Sequence, residues 1–288
     1  MGGGRAPIRD ELWWDPASAF VLDNLQLSWL SCVSMKKIRV RASLCQTTIA
    51  AVAFALLPGF SSIIPDAAAA SPSLTYMSAS AAPGKTTRYW DCAKPSASWP
   101  DKAPVTSPVK SCAKDGVTAV SPTALSGDQG GTSFMCTSLQ PWVVDAKFSY
   151  GFAAAKLVGK SESETNCACY ALQFTSGPVT GQTFVAQVIS AGGDLGENHF
   201  DLLTPGGGVG LFNACQSQWG APSDGWGARY GGVATAAQCL QLPKQLQPGC
   251  NWRFSWLKNA DNPSVSFRRV RCPDEIVSKS GCRRKDDL

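Results

Sequence analysis

Twelve cysteines constrain this chain of 288 residues more than any other feature. Two lie in the first fifty residues, and the other ten fall between Cys92 and Cys282. An even count in a chain with an export signal is typical of a disulfide framework. A zinc site is the alternative, but the one close pair, Cys167 and Cys169, is separated by a single residue, and His199 is the only histidine. We therefore expect disulfides and no metal.

Residues 35–70 contain the three parts of a secretory signal. Basic residues follow Met35, an apolar run spans Ile49–Leu57, and small residues at Ala67–Ala70 suit cleavage. The apolar run is far shorter than the ~20 residues that a membrane-spanning helix needs. We predict a secreted, extracellular protein with no stable membrane anchor. Residues 1–34 then form an unusually long leader, which a true translation start at Met35 would explain.

The rest of the chain divides into a lead-in and one domain. Residues 71–84 are small and polar, which predicts a disordered lead-in, and residues 85–288 contain no further low-complexity linker. Helical periodicity is weak, with candidates at residues 145–158 and 235–242. Strand-like runs are more frequent and occupy residues 170–174, 184–189, 252–256 and 265–270. These patterns predict a β-rich domain, either a barrel or a sandwich.

The charge distribution excludes two classes of function. The formal net charge is +5, but the densest basic clusters, residues 35–39 and 268–271, form no basic face interleaved with aromatic residues. The sequence therefore argues against nucleic-acid binding. The single histidine, His199, has no nucleophile motif such as G-x-S-x-G around it, which argues against a Ser-His-Asp or Cys-His site.

Three aspartates in unusual surroundings are the candidates for chemistry. Asp91 lies in the segment 86–92, directly after two aromatic residues and before Cys92, and Asp194 and Asp201 precede the Pro-Gly-Gly-Gly run at residues 205–208. Hydrolysis of a glycosidic bond needs two carboxyl groups, one to protonate the leaving oxygen and one to activate water or attack the sugar. Aspartates also occupy turns and ion pairs, so the pattern alone leaves a structural role open. The glycine run lacks the Gly-Lys-Ser/Thr ending of a phosphate loop.

From about Lys85 onward, the chain resembles glycoside hydrolase family 45, a family of small endoglucanases. Residues 86–92 with Ala97 are similar to the signature segment of that family, and Gly192–Asp194 with His199–Asp201 are similar to its second active-site segment. Further matching stretches follow in the same order at residues 174–178, 205–210, 248–254 and 258–263. The resemblance implies a mainly β fold, a six-stranded double-psi β-barrel with long loops, a few short helices and several disulfides.

The resemblance also implies an activity and roles for individual residues. The expected protein is a monomeric endo-β-1,4-glucanase that acts on β-1,4-glucan without a cofactor and by an inverting mechanism. Asp91 would be the base that activates water, Asp201 the acid that protonates the leaving oxygen, and Asp194 an assisting residue on a loop over the cleft. The same resemblance predicts that Tyr89 and Trp99 face glucose rings and that Lys94 and His199 lie near the carboxylates.

The disulfide pairing is likewise implied by the resemblance. The five expected bridges are Cys92–Cys215, Cys112–Cys136, Cys167–Cys282, Cys169–Cys272 and Cys239–Cys250. Many relatives have two further bridges, at the positions of Ala93 with Asp128 and of Ala97 with Asn166. Both members of each pair are replaced here, which indicates the loss of whole bridges. Each lost bridge forgoes about 2–5 kcal/mol of stability.

Two rival functions share this kind of scaffold. A non-hydrolytic, expansin-like wall-loosening or carbohydrate-binding protein keeps the His-Phe-Asp acid but lacks its partner base, so the presence of Asp91 favours the enzyme. A disulfide-rich inhibitor or defence protein of the barwin type would not need both carboxylates and an aromatic groove. The chain ends in residues 285–288, Lys-Asp-Asp-Leu, a weak likeness to a retrieval signal of the endoplasmic reticulum.

Overall fold

Seven β-strands organise residues 71–288, the part of the chain that the computed structural model describes. They are β1 (Ala82–Tyr89), β2 (Trp142–Val143), β3 (Phe148–Lys156), β4 (Cys169–Phe174), β5 (Thr183–Ala191), β6 (His199–Leu203) and β7 (Ser264–Val270). The α-helices of these residues are α1 (Glu162–Thr165), α2 (Ala214–Trp219), α3 (Gln247–Ser255) and α4 (Asp274–Ser280). Short 3-10 helices cover Ser96–Ser98, Gly127–Gln129, Thr137–Leu139, Gly177–Val179, Ala236–Gln241 and Lys285–Asp287. None of the helices described is long and apolar enough to cross a membrane.

Six of the strands close into a barrel. The strand order is β2-β3-β5-β4-β7-β1-β6, and β6 returns to pair with β3. The pairs β1–β6 and β3–β5 are parallel, and the remaining pairs are antiparallel. The prediction of a mainly β, six-stranded barrel with long loops and few short helices is therefore confirmed. The leader and signal segment predicted at residues 1–34 and 35–70 lie outside the described residues.

Strand β5 is apolar along most of its length because both of its faces are buried. Phe184, Ala186 and Val188 belong to one hydrophobic cluster, and the alternating Val185 and Ile189 belong to another. Alternate residues of a strand point to opposite faces, so a strand between two cores reads as a continuous apolar run. Strands β4, β5 and β7 confirm the predictions at residues 170–174, 184–189 and 265–270.

The prediction of a disordered lead-in at residues 71–84 is wrong for residues 76–77 and 82–84. Strand β1 begins at Ala82, and Tyr76 forms a β-bridge to Val270. The Met77 amide donates to the Arg269 carbonyl at 2.9 Å, and the Arg268 guanidinium lies 4.0 Å from the centre of the Tyr76 ring. A small, polar segment cannot form a core of its own, but its backbone groups can pair with the edge of an existing strand.

The helix predicted at residues 145–158 is wrong, because most of this segment is strand β3. Its alanines and Gly151 are there for close packing: a Cβ on Gly151 would lie 2.6 Å from the Phe184 ring. Ala153 and Ala155 are buried in the same cluster as Phe184. Alanine favours helices in isolation, and the tertiary need for small side chains overrides that preference here.

The strand predicted at residues 252–256 is also wrong, because these residues lie in α3 and its end. The rings of Trp252 and Trp256 stack with centroids 5.6 Å apart, as residues four apart on one helical face can. The Trp252 Nε1 also donates to the Ser149 hydroxyl at 2.7 Å. The helix predicted at residues 235–242 is a 3-10 helix, Ala236–Gln241, rather than an α-helix.

Five disulfides join the ten cysteines of the described residues. The pairs are Cys92–Cys215, Cys112–Cys136, Cys167–Cys282, Cys169–Cys272 and Cys239–Cys250, the same pairs that the family resemblance implies. Cys92 has a φ of 62°, a backbone conformation that non-glycine residues seldom adopt. The Cys92–Cys215 bridge and this turn fix the chain immediately after Asp91.

Candidate active site

Asp201 lies in the middle of β6, between two strands of the barrel. It pairs in register with Thr87 on the parallel strand β1 and with Ala154 on the antiparallel strand β3. Its neighbours Phe200 and Leu202 are fully buried, so the strand alternation turns Asp201 to the opposite face. The barrel backbone therefore fixes the position of this carboxylate on both sides.

A short chain of hydrogen bonds links Asp201 to His199. The Thr87 hydroxyl donates to Asp201 Oδ1 at 2.6 Å, and His199 Nε2 lies 2.9 Å from the same hydroxyl oxygen. A threonine hydroxyl has one hydrogen, so Nε2 must be the donor in this arrangement. Burial, and then the charge of Lys85, lowers the pKa of His199. A neutral imidazole with its proton on Nε2 satisfies both conditions.

Asp91 is held by backbone groups at the turn that follows β1. Its Oδ1 accepts a hydrogen bond from the Ala93 amide at 2.9 Å, and its carbonyl accepts one from the Cys215 amide at 3.1 Å. The residue is 8% exposed. Within residues 71–288 Asp91 forms no ion pair, and a buried aspartate without one is costly, which indicates a role other than stability.

The two aspartates line one cleft made of two adjoining cavities. A cavity of about 250 Å³ is lined by Asp91 and Asp201, and a second of about 410 Å³ is lined by Asp201 but not by Asp91. Tyr89 and Asp194 line both cavities. The remaining predicted site residues also line the cleft, Lys94 and Trp99 in the first cavity and His199 in the second. The structure thus brings all seven together.

Both carboxyl groups hold their protons to an unusually high pH. Burial raises the pKa of Asp91 to about 7, against the opposing hydrogen bond from the Ala93 amide. Burial also raises the pKa of Asp201 to about 7, and the hydrogen bond from Thr87 opposes that rise. The charge of Asp194 adds to the rise at Asp201. Clefts that contain such perturbed carboxyl groups are candidates for general acid–base chemistry.

Tyr89 contributes a hydroxyl that stays protonated. Burial, followed by the charges of Asp91 and Asp201, raises its pKa well above the usual range. Tyr89 lines both cavities, and the charges of both aspartates act on its hydroxyl. It can therefore donate a hydrogen bond to a bound molecule and present an apolar face to it.

Lys94 and Trp99 form one wall of the first cavity. The Lys94 Nζ donates to the carbonyls of Pro122 and Ala124 at 2.7 and 2.9 Å, and lies 3.2 Å from the centre of the Trp99 ring. Lys94 therefore shares the cavity with the carboxylates, but its ammonium is engaged by the wall and forms no ion pair with them. It covers one face of Trp99 through a cation–π contact and so fixes the ring.

The glycine run places backbone close to strand β1. A Cβ on Gly207 would lie 2.8 Å from the Thr204 carbonyl oxygen and 3.1 Å from the Tyr89 nitrogen. The Gly208 carbonyl accepts a hydrogen bond from the Trp90 amide at 2.8 Å. Glycine is required because any side chain would push these segments apart. Gly207 and Gly208 thus line the second cavity next to Tyr89.

Several cleft residues were not anticipated from the sequence. Thr87 could have been found, because alternation on β1 places it on the same face as Tyr89. Asp128 stands out in the sequence only as a position where a family bridge is missing. In the structure it lines the first cavity with Asp91. Phe212 and Tyr230, which line the first and second cavity, are carried by irregular loops and have no local sequence signal. Within residues 71–288, no group of three or more metal-ligating side chains is assembled.

Comparisons with known proteins show which family this chain matches. The profile of glycosyl hydrolase family 45 matches residues 83–283. A protein named Endoglucanase from Cryptopygus antarcticus is 55% identical over 201 residues, which is 70% of this chain and 89% of that protein. Another Endoglucanase, from Phaedon cochleariae, is 45% identical over 202 residues, 69% of this chain and 83% of its own length. The crystal structure of the cellulase from the Antarctic springtail Cryptopygus antarcticus superposes with a TM-score of 0.70 at 53% identity, covering 72% of this chain and 99% of that one.

Proposed function

The chain belongs to glycosyl hydrolase family 45, and on that basis we propose that it is a secreted endo-β-1,4-glucanase that hydrolyses internal bonds of cellulose-like glucans. The observation that carries this proposal is the placement of Asp91 and Asp201 in one cleft, which Tyr89 also lines. Both carboxyl groups have pKa values raised to about 7, so each can exchange a proton near neutral pH.

Asp201 is the general acid in this proposal. Thr87 donates to Oδ1, which leaves Oδ2 to carry the proton that passes to the glycosidic oxygen. The bond between the anomeric carbon and that oxygen breaks as the proton arrives. Burial keeps the carboxyl group protonated to a higher pH than an exposed aspartate, which suits a group that must begin each cycle as an acid.

Asp91 is the base that activates water. The Ala93 amide holds Oδ1, so Oδ2 can accept a proton from a water molecule as its oxygen attacks the anomeric carbon from the opposite face. No covalent bond to the enzyme forms, and the configuration at the anomeric carbon inverts. The product acquires the hydroxyl from water, Asp91 acquires the proton, and Asp201 is left ionised.

The other cleft residues bind and orient the glucan. Tyr89 and Trp99 provide ring faces for glucose units, and Lys94 supports Trp99 from behind. His199 acts through Thr87 on Asp201 rather than on the sugar. Asp194, exposed on the turn between β5 and β6, assists from above the cleft and raises the pKa of the acid. Export and a monomeric state rest on the sequence alone and complete the proposal.

The first experiment tests the two carboxylates. Asp91→Asn and Asp201→Asn are each expected to lower kcat on a neutral β-1,4-glucan by about 10²–10⁴-fold while leaving the thermal unfolding midpoint intact or raised. Asp194→Asn is the matched control and should lose less. Viscosity should fall faster than reducing ends appear, because internal bonds are cut. A loss below about tenfold at either residue contradicts its assigned role.

The stereochemistry tests the inverting mechanism separately. Proton NMR of the anomeric region in the first minutes of digestion should show the α-anomer before mutarotation. A β-anomer appearing first would mean that Asp91 attacks the sugar directly. An expansin-like protein would release no new reducing ends from any glucan, with or without Asp91. The presence of Asp91 in the cleft is the feature that favours hydrolysis over that rival.

A further inference from the structure

A third carboxylate lies in the cavity of the base. Asp128 sits in the 3-10 helix Gly127–Gln129, is exposed, and lines the 250 Å³ cavity together with Asp91. In the resemblance described above, this is one of the positions where many relatives carry a bridge cysteine. In this chain the loop carries the carboxylate of Asp128 at that position instead of a cysteine.

The wall holds Asp128 in place without neutralising it. The Ser126 hydroxyl donates to Asp128 Oδ1 and accepts a hydrogen bond from the Lys94 amide at 3.0 Å. The Lys94 ammonium is engaged by the carbonyls of Pro122 and Ala124. Within residues 71–288, Asp128 forms no ion pair. Its orientation is therefore fixed by a neutral hydroxyl, and its carboxylate lines the cleft.

The charged and titratable groups around Asp91 are few. Tyr89 on β1 is neutral, Asp201 approaches from β6, and Asp194 lies on the turn before it. Among the described residues, Lys94 is the one cation that lines this cavity. Of the charges that raise the pKa of Asp91, that of Asp128 has the larger effect and that of Asp201 the smaller. Asp128 is thus the main electrostatic neighbour of the base.

We propose that Asp128 is a positioning residue for catalysis, whose negative charge acts on Asp91 across the cavity and sets the pH at which the base becomes active. The inference rests on the proposed roles of Asp91 and Asp201. A negative neighbour disfavours the ionised form of a carboxyl group, so Asp128 delays the ionisation of Asp91 as pH rises. The acid-side limb of the profile of kcat/KM against pH reports the ionisation of the base in the free enzyme.

The test is the pH profile of Asp128→Asn. Asparagine keeps the shape and can still accept the hydrogen bond from Ser126, but it carries no charge. The acid-side limb should move to lower pH by roughly 0.5 unit, which is about a threefold gain in kcat/KM on that side. The alkaline limb, which follows Asp201, should not move. Asp128→Glu restores the charge and should return the acid-side limb toward the wild-type position.

Asp194→Asn is expected to shift the other limb of the pH profile from the one that Asp128→Asn shifts. The charge of Asp194 raises the pKa of Asp201, so its removal should move the alkaline limb to lower pH and leave the acid-side limb in place. Salt gives a further readout, because an exposed charge is screened. Added salt should shift the acid-side limb of the wild type downward, and it should shift that of Asp128→Asn less.

The outcomes separate this inference from the proposed function. An unchanged acid-side limb in Asp128→Asn, with Asp91→Asn inactive, overturns the role of Asp128 and leaves the catalytic pair standing. Equal shifts in the Asn and Glu variants would show that Asp128 only shapes the loop, which also overturns the inference. Full activity of Asp91→Asn would refute the proposed function itself.

Discussion

At the scale of single residues, Thr87 links His199 to Asp201, the proposed acid, and affects the pKa of Asp201. Its hydroxyl is hydrogen-bonded to both His199 and Asp201. Its hydrogen bond favours the ionised carboxylate and so lowers the pKa of Asp201 against the larger effect of burial. In the proposed mechanism, burial keeps the proton on Asp201, and the Thr87 hydrogen bond to Oδ1 leaves that proton on Oδ2.

Replacing Thr87 should therefore shift one limb of the pH profile. In Thr87→Val the pKa of Asp201 rises, so the acid stays protonated longer and the alkaline limb should move up by roughly one pH unit. Thr86→Val is the control, since Thr86 instead donates to the Pro263 carbonyl at 2.7 Å. Profiles of kcat/KM against pH measure both variants. A downward shift in Thr87→Val, or equal shifts in the two variants, would contradict the role given to Thr87.

At the scale of elements, helix α3 holds the loop that borders the second cavity. Arg253 of α3 is buried, and its Nη1 donates to the carbonyls of Gly231 and Val233 at 3.0 and 2.8 Å. These carbonyls belong to the loop that carries Tyr230, which is 68% exposed and lines the cleft. The same helix is tied to β3 through Trp252. The helix thus joins the barrel to the substrate-facing loop.

Loss of the Arg253 hydrogen bonds to this loop should lower both the stability of the protein and its affinity for the glucan. Arg253→Met leaves buried carbonyls without donors and should lower the free energy of unfolding by about 2–4 kcal/mol. KM for a β-1,4-glucan should rise more than kcat falls, because the loop borders the second cavity but carries neither of the two aspartates. Arg271→Met, at an exposed arginine, is the control for charge. Urea unfolding and steady-state kinetics of both variants test this prediction. Matching results for Arg253→Met and Arg271→Met would contradict the role given to Arg253.

At the scale of the whole molecule, the cross-links connect distant parts of the chain to the barrel. Cys92–Cys215 joins the turn after Asp91 to helix α2 across a sequence separation of 123 residues. Cys167–Cys282 and Cys169–Cys272 attach the C-terminal segment to strand β4 and the turn before it. Long loops around a small barrel lose much entropy on folding, and bridges of long span reduce that loss.

Bridges of different span should contribute differently to stability. Cys167–Cys282 spans 115 residues and Cys239–Cys250 spans 11, and both are buried. The chain-entropy relation gives about 5 kcal/mol for the first and about 3 kcal/mol for the second. The double variant Cys167→Ala/Cys282→Ala should therefore unfold at lower urea than Cys239→Ala/Cys250→Ala. The reverse order would show that local packing outweighs chain entropy at these sites.

The sequence by itself determined the family, the barrel and the candidates for catalysis. Short motifs around Asp91 and Asp201 carry chemical information that does not depend on knowing the fold. The cysteine count predicted a cross-linked domain, and the alternating or continuous apolar runs of β4, β5 and β7 were legible because burial on a strand leaves a periodic trace. These signals are local, so they can be read along the chain.

Only the tertiary structure decided what depends on partners far away in sequence. Strand β3 is rich in alanine because Phe184 and Asp201 need small neighbours, and that demand is invisible within residues 148–156. The lead-in at Tyr76 is ordered because the end of strand β7, beyond the residues that pair with β1, has backbone groups free to pair with it. Asp128 reaches the cavity of Asp91 through a loop fixed by Ser126 and Lys94. In each case a contact between residues far apart in sequence decides the structure. Local propensity alone predicts a helix for β3 and disorder for the lead-in, and it gives no signal for Asp128.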